Sequence, residues 1–285
     1  MTLWCFLTFL AIKRQVLCGR SAGPSADTQR GIVFSRGCTS MEGWKGSWWG
    51  GHVGHHVVNP CRDVIGISPE VPTRVAAGLL LAQVGYNGAF KPPVRPGDTA
   101  VVIGDGLVGQ YAAQALRHRG ALVILSGLSA FRLDLAAQCS AAEVFDNSVG
   151  DFKGFIAERF PEGVDIVVDT ASTHQTVMDA ITMCKSSGHL VLNGFYPYPE
   201  ASRLDWHWLR RKELTLYFPD SRKDERLKST LELVRKGKIH IEELITDTPS
   251  IEDASEVYSR LLSGDDDYLG IVLGWSCSES APFIG

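Results

Sequence analysis

Six residues, Gly104-Asp105-Gly106-Leu107-Val108-Gly109, constrain the fold of this chain more than any other stretch, because of what flanks them. Ahead of them runs Thr99-Ala100-Val101-Val102-Ile103, a short β-rich apolar run that reads as a buried strand. Behind them runs Gln110-Tyr111-Ala112-Ala113-Gln114-Ala115-Leu116, a good helix former with small residues near its start. A strand, a glycine turn and a helix in that order let a backbone approach a dinucleotide pyrophosphate. Gly104 permits the tight turn, Gly106 clears the phosphates, and Gly109 lets helix and strand pack closely. The helix N-terminus, with Leu107 and Val108 in its first turn, then offers unpaired N–H groups and a positive dipole end to an anion.

The rest of the chain supplies the repeat that such a turn requires. From about Gly97 onward, strand-like and helix-like segments alternate. Residues 121–125 are an apolar run and 131–139 have helical spacing; 143–145 are a short strand and 152–160 a helix. Residues 164–169 form a buried strand with 174–185 helical behind it, and 189–194 make the next strand, ending on Gly194. Residues 214–218 are strand-like, and 223–235 form an amphipathic helix closed by Gly237. Repeated βα units of this length predict a parallel, doubly wound sheet of the Rossmann kind. The flanks differ. Residues 31–60 are rich in Gly, Trp and β-formers, with alternation over 50–58 suited to a barrel strand. Residues 68–90 read as one helix, and 239–275 hold strands and a helix over 251–262. We take these flanks as one β-rich second domain interrupted by the first.

Composition narrows the function. The 285 residues carry 28 basic and 32 acidic side chains without long like-charge blocks, a net charge of −4 that argues against a nucleic-acid partner. The densest basic cluster, Arg210-Arg211-Lys212, reads as a solvated turn. Seven cysteines make no Cys-x-x-Cys pair, which points to reduced thiols and a cytoplasmic location. Residues 3–12 are apolar, but too short to span a bilayer, and Lys13-Arg14 follow the run where a secretory signal would place charge before it. Residues 1–30 are therefore an unassigned extension ending in a linker, and no membrane partner is expected.

The motifs resemble those of the medium-chain dehydrogenase/reductase superfamily, which includes the zinc-type alcohol, sorbitol and threonine dehydrogenases and the zinc-free quinone reductases. The resemblance covers roughly residues 31–275. It rests on Arg95-Pro96-Gly97-Asp98 leading through the first strand into the glycine turn, and on Gly127-Leu128-Ser129-Ala130-Phe131-Arg132-Leu133 after the second. Arg211-Lys212-Glu213-Leu214-Thr215-Leu216 resembles the family's last sheet strand, and Asp267-Tyr268-Leu269-Gly270-Ile271-Val272-Leu273 its closing strand. The resemblance implies an incomplete GroES-like catalytic domain over 31–95, a Rossmann nucleotide-binding domain over 96–237 and a return to the catalytic domain over 238–285. It also implies a homodimer paired through the last Rossmann strand. Two family features are missing: the Gly-His-Glu motif does not occur, and the third zinc-ligand position falls at Gln83, a poor ligand. We expect no catalytic zinc.

Individual positions refine the cofactor. An acid about 20 residues past the turn would bind the ribose hydroxyls of NAD. Ser126-Gly127 stand there, with Ser129 and Arg132 close behind and Asp134 further into the helix. Loss of the carboxylate removes its repulsion of a 2′-phosphate, and Arg132 could pair with one, so NADP(H) is expected in preference to NAD(H). Thr170, Ala171, Gly194 and Phe195 lie at the carboxyl edge of later strands, where the resemblance places ribose and nicotinamide. Asp169 reads equally as a helix N-cap. His52 and His56 share a strand face that His55 does not, and nothing nearby completes a metal set; they read as surface or barrel histidines, and Trp44, Trp48 and Trp49 as core or interface. Tyr86 and Asn87 are the substrate-side, catalytic candidates that the resemblance suggests.

The expected function is an NAD(P)(H)-dependent oxidoreductase moving hydride to or from a small alcohol, carbonyl or enone. The alternative is a truncated nucleotide-binding homologue without activity. A methyltransferase would want an acid after the second strand, and a short-chain reductase would need a Tyr-x-x-x-Lys pair that does not occur.

Overall fold

A computed structural model of the chain describes residues 11–13, 32–35, 64–196, 204–219, 224–264 and 267–274. The chain divides into two compact units. One comprises residues 1–78, 245–265 and 270–285, the other residues 79–244 and 266–269. The first opens with three antiparallel strands, β1 (Ala11–Lys13), β2 (Ile32–Ser35) and β3 (Val64–Ile67), in that order, followed by α1 (Thr73–Ala77). The expected barrel strand over 50–58, with His52, His55 and His56, and Trp44, Trp48 and Trp49 lie outside the described residues.

The second unit carries the repeat. It runs α2 (Leu79–Phe90), β4 (Thr99–Ile103), α3 (Leu107–His118), β5 (Leu122–Gly127), α4 (Ala130–Leu135), β6 (Glu143–Asp146), α5 (Phe152–Arg159), β7 (Val164–Asp169), α6 (His174–Met183), β8 (Cys184–Leu192), α7 (Trp206–Arg211), β9 (Thr215–Tyr217) and α8 (Asp224–Arg235). The six strands are all parallel in the order β6-β5-β4-β7-β8-β9. This is the doubly wound arrangement, whose order reverses between β4 and β7. The chain then returns to the first unit through β10 (Ile245–Asp247), α9 (Ala254–Ser263) and β11 (Gly270–Ile271), with β10 and β11 parallel.

The central strands read as unbroken apolar runs because both faces of the sheet are covered. Ala100, Val102, Val123, Leu125, Ile166, Val168 and Val191 project into one layer, packed by Ala112, Ala113 and Leu116 of α3. Val101, Ile103, Ile124, Val164, Val167, Leu190 and Leu192 project into the other, packed by Ile156 of α5 and Val177, Ala180 and Ile181 of α6. Side chains alternate faces along the strands, apart from the register shift between Val164 and Ile166 in β7, so the two layers follow from one sequence pattern.

Several expected boundaries change. The single helix over 68–90 is two, because Pro69 and Pro72 delay the start to Thr73 and Gly78 ends α1. The helix over 174–185 stops at Met183, since Cys184 is already extended (ψ 139°) and begins β8. The strand over 214–218 is the shorter β9. The helix over 251–262 starts as a 3₁₀ turn and becomes α9 at Ala254. The expected domain limits at 95/96 and 237/238 fall inside the second unit, which takes in α2. Nor is Lys212 a solvated turn residue: its ammonium donates to the Thr182 and Cys184 carbonyls at 2.6 and 2.5 Å.

Asp165, at the amino edge of the sheet, ties three strands together. Its carboxylate accepts the Thr99 amide at the start of β4 (2.8 Å) and pairs with Lys185 of β8. Burial alone would raise its pKa, but Lys185 and the Thr99 amide outweigh burial and hold it below the ordinary aspartate range. A depressed folded-state pKa contributes stability that is fully present above the unfolded value and is lost as pH falls through the folded one. Asp165→Asn should therefore lower the urea midpoint at pH 7, and the gap from wild type should close as pH drops below about 4. A gap that stays constant down to pH 3 would contradict this linkage.

Candidate functional site

At the carboxyl edge of β4 the chain turns on Gly104, which adopts φ +117° and donates its amide to the Ser126 carbonyl at 2.8 Å. A side chain here would run into the Thr170 hydroxyl, and one at Gly109 into the Gly104 carbonyl oxygen. Both glycines are needed for the backbone to pack this tightly. Gly106 differs. It is the N-cap of α3, with extended geometry (φ −70°, ψ 173°) and no side-chain cap, and a Cβ on it would meet nothing within 4 Å. The first amides of a helix have no carbonyl four residues back to bond, so α3 begins with amides that lack an intrahelical partner. That cradle fits a pyrophosphate.

Beside the turn, the end of β5 is built around a side chain. Asp105 accepts the amides of Leu128 and Ser129 on one oxygen, Oδ2, at 2.8 and 2.9 Å. Its Oδ1 lies 3.7 Å from Arg132 Nη1. Any side chain at Gly127 would collide with Asp105. Ser126 is buried, and Ser129 is the N-cap of α4, accepting the Arg132 amide through its hydroxyl. Arg132 reaches further: Nε donates to the Tyr268 carbonyl at 3.1 Å, and the guanidinium sits 5.5 Å from the centre of the Tyr268 ring. A carboxylate does stand at the end of β5, and Arg132 is engaged with it.

Across the switch point, the Thr170 amide and hydroxyl both donate to the Ile103 carbonyl at 2.9 Å, locking the β7 loop to β4. Asp169 is fully buried and accepts the Ala171 and Ser172 amides (3.3 and 3.2 Å) and the Tyr196 hydroxyl (2.6 Å). It is not a helix N-cap; Thr173 fills that role in a capping box with Thr176. Burial raises the Asp169 pKa, against the pull of its donors, and burial with the adjoining carboxylate raises that of Tyr196. Ser172 is held in the left-handed region (φ 63°), and a side chain at Gly194 would strike its hydroxyl. Phe195 is exposed. The Asn193 amide and side chain reach the Asp169 and Val84 carbonyls (2.9 and 3.0 Å), joining β8 to β7 and α2.

The remaining candidates lie on α2. Gly85 brings that helix against Val108 and Tyr111 of α3, where a side chain would not fit. Tyr86 packs on the sheet layer that α3 covers and lies 5.7 Å from Phe90, ring to ring. Burial raises its pKa, with Arg119 and Arg226 opposing. Asn87 is buried and accepts Arg226 Nη1 at 2.9 Å. Gln83 is buried on the same helix, and its carboxamide does not suit zinc. Among the described residues no three His, Cys, Asp or Glu side chains cluster as metal ligands. The sequence reading placed Asn193 at a strand edge without its bonds, and it missed Asp105 and Tyr196. Only Asp105 left a signal there, as an acid inside the glycine turn.

A doubly wound sheet with a glycine turn at its switch-point edge is the arrangement that dinucleotide-binding folds use. Residues 108–236 match the family model for zinc-binding dehydrogenases. The (R,R)-butanediol dehydrogenase of Neisseria gonorrhoeae is 26% identical over 227 residues, 79% of this chain and 63% of that protein. A zinc-binding dehydrogenase from Sinorhizobium meliloti, described as putative and bound to NADP, superposes with a TM-score of 0.68 at 24% identity, covering 74% of this chain and 62% of that one. An Escherichia coli structure, described as a short chain alcohol dehydrogenase complexed with NADH, gives 0.67 at 21% identity over 74% and 62%. These likenesses lie among the zinc-type dehydrogenases that the sequence motifs resemble. The chain spans under two thirds of the length of these relatives.

The two glycines of the helix start should respond oppositely to substitution. Gly109→Ala forces the Gly104 carbonyl to shift and should cost about 1–3 kcal/mol of stability by overpacking. Gly106→Ser places a good N-cap in open space and should unfold at or slightly above the wild-type midpoint. Urea titration of the two variants reads both; equal losses would contradict the geometry.

Proposed function

We propose that the chain is a nicotinamide-dependent oxidoreductase that moves hydride to or from a small alcohol, carbonyl or enone without a catalytic zinc. The observation that carries this reading is the open cradle at Gly106, framed by glycines at 104 and 109 that no other residue could replace without a clash. A bound nicotinamide would supply hydride exchange; the protein's contribution is binding, orientation and exclusion of water. In this reading the amides of Leu107, Val108 and Gly109 hold the pyrophosphate, and Ser126, Gly127 and Ser129 border the adenosine ribose. Thr170, Ala171, Gly194 and Phe195 line the path towards the nicotinamide.

Tyr86 and Asn87 take a narrower part than the catalytic one first expected. The packing of Tyr86 and the Asn87–Arg226 bond support a positioning role, holding α2 against α3 and α8. The neighbours divide on the cofactor, one carrying NADP and the other NADH. The preference for NADP(H) drawn from Gly127 and Arg132 loses its support once Asp105 is counted, and the choice turns on that residue. Free thiols at Cys139 and Cys184 agree with a cytoplasmic location, and exposed Phe218, beside β9, with pairing of two copies through that strand. Among the described residues no helix is long and apolar enough to cross a membrane.

The test is a titration with NADH and NADPH followed by nicotinamide fluorescence, then turnover on a panel of diols, polyols and their carbonyl partners. Binding is expected, weakened at least about ten-fold in Gly106→Ser because the new side chain fills the phosphate cradle. Turnover is expected to survive a chelator. Binding without turnover would favour a nucleotide-binding protein without activity, and loss of turnover with chelator would restore a metal. No binding of either nucleotide would overturn the reading.

A further inference from the structure

We infer that Asp105 selects the cofactor: its carboxylate, carried on the glycine turn, serves the adenosine ribose edge and makes the site favour NAD(H) over NADP(H). The inference rests on the nucleotide-binding reading above and adds the determinant of its specificity. Four observations converge on it. Asp105 Oδ2 takes both amides, Leu128 and Ser129, that open the loop after β5. These two amide donors at this edge are already filled by an anion. Gly127 has no room for a side chain because the Asp105 carboxylate lies where one would begin. The carboxylate therefore occupies the end of β5, the place from which an acid in dinucleotide-binding folds accepts the ribose hydroxyls.

The third observation concerns Arg132. Its guanidinium is held between Asp105 Oδ1, the Tyr268 carbonyl and the Tyr268 ring. It orients the carboxylate, and a 2′-phosphate could recruit it only by drawing it away from Asp105. The fourth is burial: Asp105 is only 8% exposed, so its charge is screened far less than a surface charge would be. A ribose hydroxyl can donate to such a carboxylate, whereas a 2′-phosphate meets like charge and occupied donors together.

The experiment measures binding, not turnover. Calorimetric titration with 5′-AMP and with adenosine 2′,5′-bisphosphate isolates the ribose edge, and NADH and NADPH titrations extend it to the whole cofactor. The wild type is expected to bind 5′-AMP and NADH on the order of ten-fold more tightly than their 2′-phosphorylated counterparts. Asp105→Asn keeps an acceptor for the two amides but removes the charge, and should shrink that ratio by about ten-fold or invert it. A wild-type preference for the 2′-phosphorylated ligands would overturn the inference while leaving the nucleotide site standing. So would a ratio that Asp105→Asn does not move. Failure of all four ligands to bind at millimolar concentration would overturn the site and the inference together. If Asp105→Asn does not fold, the wild-type ratio alone decides.

Discussion

The structure of the second unit depends on one close approach of backbone to backbone. Gly109 sits against the carbonyl of Gly104, and Gly104 against the hydroxyl of Thr170, with no space for a single added carbon at either glycine. Thr170 in turn bonds the Ile103 carbonyl through both its amide and its hydroxyl. β4, the start of α3 and the loop after β7 are thereby one rigid junction at the point where the strand order reverses. Gly85 extends the same demand to α2, which can reach α3 only because it has no side chain there. Both apolar layers are arranged around this junction. Their burial contributes most of the stabilisation, at roughly 1.5–3 kcal/mol for each large side chain removed from water.

Much of this was legible in the sequence, and the reason is physical. A strand covered on both faces must be apolar throughout, so 99–103 and 164–169 could be located from composition over a few residues. The glycine turn was legible because its three glycines in six residues stand between an apolar strand and a helix, and two of them, Gly104 and Gly109, demand the absence of a side chain. Element ends were less so. The start of α1 is decided by Pro69 and Pro72 and the end of α6 by Cys184 turning extended, where the register of β8 against β7 outweighs a helical pattern that continued to Lys185. Tertiary pairing made that choice, and local propensity does not record it.

The site was half legible, and the divide falls between backbone and side chain. Positions set by the backbone, Gly104, Gly106, Gly109 and Gly194, stand where the motif and the strand ends suggested. Side-chain partners did not follow, because spacing along the chain says nothing about where a carboxylate turns. Asp169 resembles an N-cap in sequence, but its oxygens serve the Ala171 and Ser172 amides and Tyr196, while Thr173 caps α6. Arg132 resembles an exposed anion receptor, yet its partners include Asp105, some 27 positions upstream, and Tyr268, beyond the sheet strands altogether.

Asp105 shows why an absence in sequence need not be an absence in space. Gly127 taken alone is a lost carboxylate; Gly127 beside Asp105 is the clearance that a carboxylate from another segment requires. The two positions form one feature, and reading either without the other reverses its chemical meaning. Carrying the acid on the turn has a further physical consequence. Asp105 lies between Gly104, whose φ and contacts leave it no freedom, and Gly106, which borders the phosphate cradle. A carboxylate mounted on the strand end could shift with its own loop. One mounted between these glycines is fixed relative to the pyrophosphate amides, and by bonding Leu128 and Ser129 it fixes that loop as well. Under the proposed reading, phosphate and ribose recognition share a single rigid element, and a change at residue 105 acts on the geometry of one and the charge of the other.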